Sequence, residues 1–164
     1  MKRKFIFILI ILSFFASVTC VMSSAITSRL KTGIEAPNFV LKDLNDKDID
    51  LTSFRGKSSV LIFFWIADCY ACQIETSEIT KLYPKFKEKN IEILTINLGD
   101  SKERVQSFVK RYNVNYPVLL DLDTNVGRAY KLIGVPTLVL VDQKGIVSFV
   151  ENELPQEFKN ENGI

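Results

Sequence analysis

Histidine is absent from this sequence, and cysteine is scarce. A structural zinc site needs about four ligands, usually Cys or His, and the catalytic pairing of a cysteine with a histidine requires the histidine. The chain offers three cysteines, of which Cys69 and Cys72 form a C-x-x-C and Cys20 lies near the N-terminus. The shortage of ligands therefore argues against a metal site, and a Cys–His nucleophile is excluded.

An excess of one charge is also missing, since 21 basic residues stand against 19 acidic ones. No basic block interleaved with aromatic residues follows the N-terminal segment, so the sequence gives nucleic-acid binding no support. The 164 residues are 47% hydrophobic, which allows one compact domain with a full core and no second one. We therefore expect a single folded domain that binds no nucleic acid.

The N-terminal segment differs in composition from everything after it. Basic residues at positions 2 to 4 precede an apolar run from Phe5 to Met22, a pattern that predicts export of the rest of the chain. The segment can be cleaved after Ala25, kept as a membrane anchor, or lipidated at Cys20, whose preceding residues match a lipobox poorly. We favour membrane attachment over release. For Cys20, a role as a small apolar residue of the signal helix fits the sequence at least as well as a lipidation site does.

This composition divides the chain into three regions. Residues 1–25 are a signal peptide or membrane anchor, the polar and aperiodic residues 26–35 are a tether, and residues 36–164 form the folded domain. That domain holds only the two cysteines of the C-x-x-C, which suits an oxidising compartment where a spare thiol would be a liability. We expect the domain to lie outside the cytoplasm.

The central pattern is an apolar run that leads directly into the C-x-x-C. Eight consecutive apolar residues, Val60–Ala67, predict a strand that is buried on both faces, and a helix is expected to begin at the cysteines. The unpaired N–H groups and partial positive charge of a helix N-terminus favour the thiolate of Cys69, which is the form that attacks sulfur. A permanent disulfide across so short a loop would restrain the unfolded chain little, so we predict a redox-active pair.

The remaining pattern alternates strands with helices. Apolar residues from Ile79 to Phe86 have amphipathic helical spacing, with a kink expected at Pro84. Asp100 and Glu103 are spaced as the capping box of a second helix. We predict an α/β fold with a mixed sheet and helices on both faces. Its other elements are a hairpin over 36–51, strands over 91–97, 116–120 and 138–141, a final strand that ends at residue 150, and a short helix over 124–132.

Four features in this order resemble the TlpA/ResA-type membrane-tethered thioredoxin-like proteins, and the resemblance spans residues 35–150. They are the segment Phe64–Cys72, the N-terminal hairpin with Phe54–Lys57, the helix–strand insertion over 98–120, and Gly134–Thr137. The resemblance implies a thioredoxin-like fold and the reduction of disulfides in exported partner proteins, notably apocytochrome c before haem attachment. It also implies a membrane electron donor and no cofactor, because the sulfur atoms carry the electrons.

The same resemblance assigns roles to individual residues. Cys69 would be the attacking sulfur and Cys72 the resolving one. Pro136 matches a cis-proline opposite the cysteines that leaves the backbone of Val135 free to pair with a substrate strand. Trp65 would pack beneath the site and help to form the substrate surface, although a bare aromatic residue is also typical of a core.

Two acidic residues near the cysteines have opposite expected effects. Glu75 matches an acidic residue one turn after the second cysteine and could accept the proton of Cys72; alternatively, it is a solvated carboxylate that favours the helix dipole. Phe63 occupies the position of thioredoxin's buried Asp, which leaves Glu75 as the nearby candidate. Asp68 is expected to oppose the thiolate, raise the pKa of Cys69 and make the pair a better electron donor.

The sequence leaves two other functions open. A thiol peroxidase of the peroxiredoxin type shares the fold, but the Pro-x-x-x-Thr-x-x that precedes its reactive cysteine is missing before Cys69 and Cys72. A non-catalytic module of the same fold is the other alternative. Copper carriers of this kind use C-x-x-x-C and a distant histidine, and this sequence has neither.

Overall fold

The computed structural model describes residues 27–159. Within that range, none of the helices combines the length and the apolar character needed to cross a bilayer. The predictions about the leader over residues 1–25, including cleavage after Ala25 and lipidation at Cys20, lie outside the described residues.

The described chain forms a mixed sheet of seven strands in the order β2-β1-β5-β4-β3-β6-β7. The predicted edge hairpin and the predicted helix–strand insertion, α2 and β5, are both present. The strands are β1 (Val40–Asp43), β2 (Asp48–Asp50), β3 (Ser59–Trp65), β4 (Ile91–Leu98), β5 (Val118–Asp121), β6 (Thr137–Val141) and β7 (Val147–Glu151). The helices are α1 (Tyr70–Glu88), α2 (Lys102–Tyr112), α3 (Asn125–Ala129) and α4 (Gln156–Lys159), with a 3-10 turn at Leu51–Phe54.

The core is organised around β3, which pairs in parallel with β4 and antiparallel with β6. Leu61, Phe63 and Trp65 enter one cluster with α1, α2 and α4, while the alternate residues of β3 enter a second cluster on the other face. Residues 60–65 are all buried, which confirms the prediction of a strand buried on both faces. The cysteines therefore follow a central strand of the sheet that is buried on both faces.

The start of α2 differs from the predicted capping box. Ser101 is the N-cap residue, and its hydroxyl accepts a hydrogen bond from the N–H of Arg104 at 3.4 Å. The Asp100 carboxylate turns the other way and accepts the N–H of Ala67 at 2.8 Å. The prediction that Asp100 caps this helix was therefore wrong, because a partner distant in sequence holds its side chain.

Residues 28–35, which the sequence suggested as part of a tether, lie against the folded domain. Ser28 forms a β-bridge with Leu132, and Glu35 forms one with Ile146. The side chain of Leu30 joins the core cluster on that face of the sheet. α3 ends at Ala129, short of the helix predicted over 124–132, and Lys131 has a positive φ of 53°, a left-handed conformation that a right-handed helix cannot contain.

The Ser28→Ala substitution is expected to lower the free energy of unfolding by roughly 1–3 kcal/mol. The Ser28 hydroxyl donates to the carbonyl of Tyr130 at 2.8 Å and accepts the N–H of Leu30 at 2.9 Å, and both bonds are buried. Urea denaturation of the full-length protein measures the loss. Ser77→Ala, which removes an exposed bond to Gln73, is the control and should cost about 0.5 kcal/mol or less. Equal stability of the two variants would contradict this prediction.

Candidate active site

The two cysteines lie where β3 ends and α1 begins. They are joined by a disulfide, with their Cα atoms 5.1 Å apart. Cys69 is the N-cap residue of α1 and is partly exposed, whereas Cys72 in the first turn is completely buried. Only Cys69 is open to a large partner, which is the arrangement that an attacking Cys69 and a resolving Cys72 require.

The surroundings of Cys69 favour its thiolate once the disulfide is reduced. The N–H of Cys72 donates a hydrogen bond to Sγ of Cys69 at 3.1 Å, and the N-terminus of α1 adds a partial positive charge at the same place. Such contacts stabilise the ionised sulfur relative to the thiol. The helix start that the sequence predicted at the C-x-x-C is therefore confirmed.

The loop before β6 lies against the cysteine pair. The Val135–Pro136 peptide bond is cis, as predicted, and the carbonyl oxygen of Val135 is 3.8 Å from Sγ of Cys69. Pro136 itself is buried, whereas Val135 is partly exposed. Of these two residues, Val135 is therefore the one that a partner can touch.

Trp65 lies in the core rather than on the surface. Its side chain is 2% exposed, and its ring centroid is 4.2 Å from that of Phe108 on α2. The indole N–H has no hydrogen-bond partner among the described residues. Trp65 belongs to the same cluster as Cys72, so it supports the site from beneath, and its predicted place on the substrate surface is corrected.

Glu75 is buried beneath the C-terminal segment of the domain. Its Oε2 accepts the N–H of Leu154 at 3.1 Å, and its Oε1 is 3.7 Å from Nζ of Lys159. Burial raises the pKa of Glu75, against the lowering effects of the Leu154 N–H and of Lys159. The alternative of a solvated first-turn carboxylate is therefore wrong, and the carboxyl group is a stronger proton acceptor than an exposed one.

Asp68 is exposed, but its charge is paired. Its side chain is 80% exposed and forms a salt bridge with Arg104 of α2, which also contacts Asp100. The two carboxylates raise the pKa of the Arg104 guanidinium, Asp68 having the larger effect. The expected effect of Asp68 on the Cys69 thiolate stays a prediction, and the structure adds a counter-charge on Arg104 that the sequence analysis did not foresee.

The sequence profile of the AhpC/TSA family matches residues 32–150. The chain belongs to the AhpC/TSA family. Its relatives include the thiol-disulfide oxidoreductase ResA of Bacillus thuringiensis subsp. konkukian (strain 97-27), which is 36% identical over 130 residues that cover 79% of this chain and 75% of the relative. The protein of the same name from Bacillus subtilis (strain 168) is 41% identical over 118 residues, which cover 72% of this chain and 65% of the relative.

A solved structure of a related protein has the same fold as this AhpC/TSA domain. A putative protein disulfide isomerase from Bacteroides thetaiotaomicron superposes with a TM-score of 0.74 at 27% sequence identity, covering 81% of this chain and 86% of that one. The thioredoxin-like fold is confirmed, and so is the expected enzyme class, thiol–disulfide oxidoreductase. Within residues 27–159, no three His, Cys, Asp or Glu side chains lie close enough together to hold a metal ion.

Sequence reasoning missed the residues of this AhpC/TSA site that come from distant parts of the chain. Arg104 of α2 and Asp100 of the loop after β4 contact the loop before Cys69, and Leu154 and Lys159 cover Glu75 from the C-terminal segment. In the sequence, Arg104, Leu154 and Lys159 are ordinary charged or apolar residues with no motif around them, and the spacing of Asp100 indicated only a helix cap. No local signal could have found them, because their roles depend on how the elements pack.

Proposed function

We propose that the protein reduces disulfide bonds of exported proteins outside the cytoplasm, with apocytochrome c before haem attachment as the candidate substrate. The observation that carries the proposal is the partly exposed Cys69, whose Sγ is bonded to that of the buried Cys72 and lies 3.8 Å from the carbonyl oxygen of Val135. The ResA relatives support the same chemistry. The basic residues and the apolar run over residues 2–22 support membrane attachment, and a membrane dithiol donor would restore the reduced pair.

The proposed cycle moves two electrons from the dithiol to the partner. The thiolate of Cys69 attacks one sulfur of the partner disulfide, the partner S–S bond breaks, and the other partner sulfur leaves and takes up a proton. The thiolate of Cys72 then attacks Sγ of Cys69 in the mixed disulfide. The mixed bond breaks, the second partner thiol is released, and the Cys69–Cys72 disulfide remains.

Cys72 must lose its proton before the second step, although it is completely buried. Glu75 follows it by one turn on α1, and burial raises the pKa of this carboxyl group. A carboxylate with a raised pKa removes a thiol proton more readily, because the two pKa values are closer. We therefore assign Glu75 as the general base for Cys72 in this cycle.

A cleft next to Val135 supports a protein or peptide as the substrate. It has a volume of about 240 Å³ and is lined by apolar side chains that include Ile66, Leu98 and Leu132, with Arg128 on its wall. Ile133, in the same loop as Val135, is exposed. A substrate strand along the backbone of Val135 could place an apolar side chain of the partner in this cleft.

The direction of electron flow is proposed on the family resemblance rather than on Asp68. Arg104 offsets the negative charge of Asp68, so this carboxylate is a weaker reason for electron donation than the sequence suggested. A dithiol that donates electrons should have a potential well below those of strong periplasmic oxidants. A measured potential near those oxidants would contradict the role as a reductant.

The full-length Cys72→Ser variant is expected to trap its partners as mixed disulfides on Cys69. The first attack can still occur, but no second sulfur is available to release the partner. Membranes of expressing cells should yield covalent complexes that dissolve on reduction, and mass spectrometry identifies the trapped proteins. The Cys69→Ser, Cys72→Ser double variant is the matched control and should trap nothing.

Other outcomes would favour the two alternative functions. Consumption of peroxide by the reduced protein without any partner would favour a thiol peroxidase. Full biological activity of the Cys69→Ser, Cys72→Ser double variant would favour a non-catalytic binding module. Complexes that form equally well in this double variant would contradict the proposed attack by Cys69.

A further inference from the structure

Arg104 joins two carboxylates, one in the loop that precedes Cys69 and one in the loop between β4 and α2. One end of its guanidinium forms a salt bridge with Asp68, the residue directly before Cys69, and its Nε is 3.2 Å from Oδ1 of Asp100. A single α2 side chain therefore links the loop after β3 with the loop after β4. The contact with Asp68 is the one adjacent to the proposed attacking sulfur.

Asp100 is mostly buried and is held by hydrogen bonds, so it provides a fixed contact for the guanidinium of Arg104. Its side chain is 15% exposed, and its Oδ2 accepts the N–H of Ala67 and the side-chain amide of Asn97, both at 2.8 Å. The N–H of Asp100 in turn donates to the side-chain oxygen of Asn97 at 3.1 Å. The contact of Arg104 with Asp100 is thus made to a fixed carboxylate, whereas Asp68 is mostly surrounded by solvent.

We propose that Arg104 is a positioning residue for the C-x-x-C: anchored on Asp100, it holds the carboxylate of Asp68 in an ion pair and offsets its charge beside Cys69. The inference rests on the proposed role of Cys69 as the attacking sulfur. Without Arg104, the Asp68 carboxylate would act on Cys69 with no counter-charge and would disfavour the thiolate. Arg104 would therefore act on the sulfur through Asp68 rather than by touching the substrate.

The other charged groups near the site form no ion pair with Asp68 among residues 27–159. Arg111 lines a groove of about 210 Å³ together with Asp68, Arg104 and Gln73, but it forms no salt bridge with any residue between 27 and 159. Glu75 lies one turn after Cys72 on α1 and has Lys159 as its counter-charge. The loop before β6 contributes the uncharged carbonyl of Val135. Asp68 and Arg104 are therefore the pair to test.

The test measures the rate at which iodoacetamide alkylates Cys69 as a function of pH, in the full-length Cys72→Ser protein. Asp68→Asn should move the midpoint of this profile to lower pH, and Arg104→Gln should move it to higher pH. Each shift should be roughly 0.3 to 0.7 pH units, or about two- to fivefold in the ionisation constant, as expected for an exposed ion pair. Opposite shifts are not expected from simple damage to the fold.

Combining the variants separates action through Asp68 from a direct effect of the arginine. If Arg104 acts by offsetting Asp68, then Arg104→Gln should shift the midpoint less in the Asp68→Asn background than alone. An equal shift in both backgrounds would overturn the proposal. Arg104→Lys should restore part of the effect because it keeps a positive charge, and added salt should reduce the difference between Arg104→Gln and its parent.

Arg111→Gln is the matched control, because it removes the same charge from the same groove without removing an ion pair seen in the structure. Its midpoint should equal that of the parent. The inference would be overturned if the alkylation profile of Arg104→Gln matched that of Arg111→Gln. It would also be overturned if Asp68→Asn and Arg104→Gln shifted the midpoint in the same direction. Failure of the proposed function would look different, because Cys69 of the Cys72→Ser parent would then not be alkylated faster than Cys72 of the Cys69→Ser protein.

Discussion

The Cys69→Ser substitution is expected to abolish disulfide reduction, with the rate falling at least about a thousandfold, to the level of exchange without the enzyme. A serine hydroxyl cannot form the mixed disulfide through which electrons reach the partner. Cys72 cannot replace the lost sulfur, because it is completely buried in the first turn of α1. The measurement is the rate at which the reduced full-length protein reduces a disulfide-containing protein substrate.

The chain provides its own control for this experiment. Cys20 is the third cysteine of the sequence, and Cys20→Ser removes a thiol without touching the C-x-x-C. This variant should reduce the substrate at the rate of the parent protein. If Cys69→Ser kept a tenth or more of the activity, Cys69 could not be the attacking sulfur.

The second large effect is expected for Glu75→Gln, which should slow the release of the partner from the mixed disulfide by about a hundredfold. Glutamine keeps an oxygen that can accept the N–H of Leu154, but it cannot accept the proton of Cys72. The first attack by Cys69 should be nearly unchanged. The decay of a preformed mixed disulfide, followed by stopped flow, isolates the affected step.

The pH dependence of this step should identify the proton acceptor. In the parent protein, the release rate should rise as Glu75 loses its proton. In Glu75→Gln, the rise should occur at higher pH, where Cys72 ionises without help, so the two rates should converge in alkaline solution. Glu78→Gln removes the same charge one turn farther along α1 and should behave as the parent. A constant ratio between Glu75→Gln and the parent at every pH would contradict general-base catalysis.

The stability of Glu75→Gln should separate this catalytic loss from structural damage. Burial raises the pKa of Glu75 above its ordinary value of 4.5, so the folded state holds this proton more tightly than the unfolded state. That contribution to stability is fully present below pH 4.5 and is lost as the pH rises through the raised pKa. The parent should therefore lose free energy of unfolding relative to the variant over this range. A variant that is slower without being less stable at neutral pH fits this account.

The C-x-x-C and its supporting strand could be predicted because their signals are local. Eight apolar residues from Val60 to Ala67, followed after one acidic residue by Cys69, specify a buried strand and then a helix start, and the structure has both. Pro136 was assigned as a cis-proline because Gly134–Thr137 resembles the corresponding segment of the family, and its peptide bond is cis.

The charges around the site could not be predicted in this way. Asp68 lies next to Cys69 in the sequence, so its effect on the sulfur was considered, but its partner Arg104 belongs to a different helix. Asp100 had the spacing of a helix cap and was assigned to one, yet its carboxylate binds Ala67. Local spacing cannot distinguish these uses, because the competing partner is brought close only by the sheet.

The sequence alone determined the chemistry and the fold class of this protein, since helix, strand and cysteine spacing are properties of short stretches of chain. Tertiary packing alone decided which charged groups surround the two cysteines. It buried Glu75 under the segment that carries Leu154 and Lys159, and it placed Arg104 beside Asp68. The physical reason is that burial and charge pairing depend on distances between residues far apart in the chain, and those distances exist only after the sheet has formed.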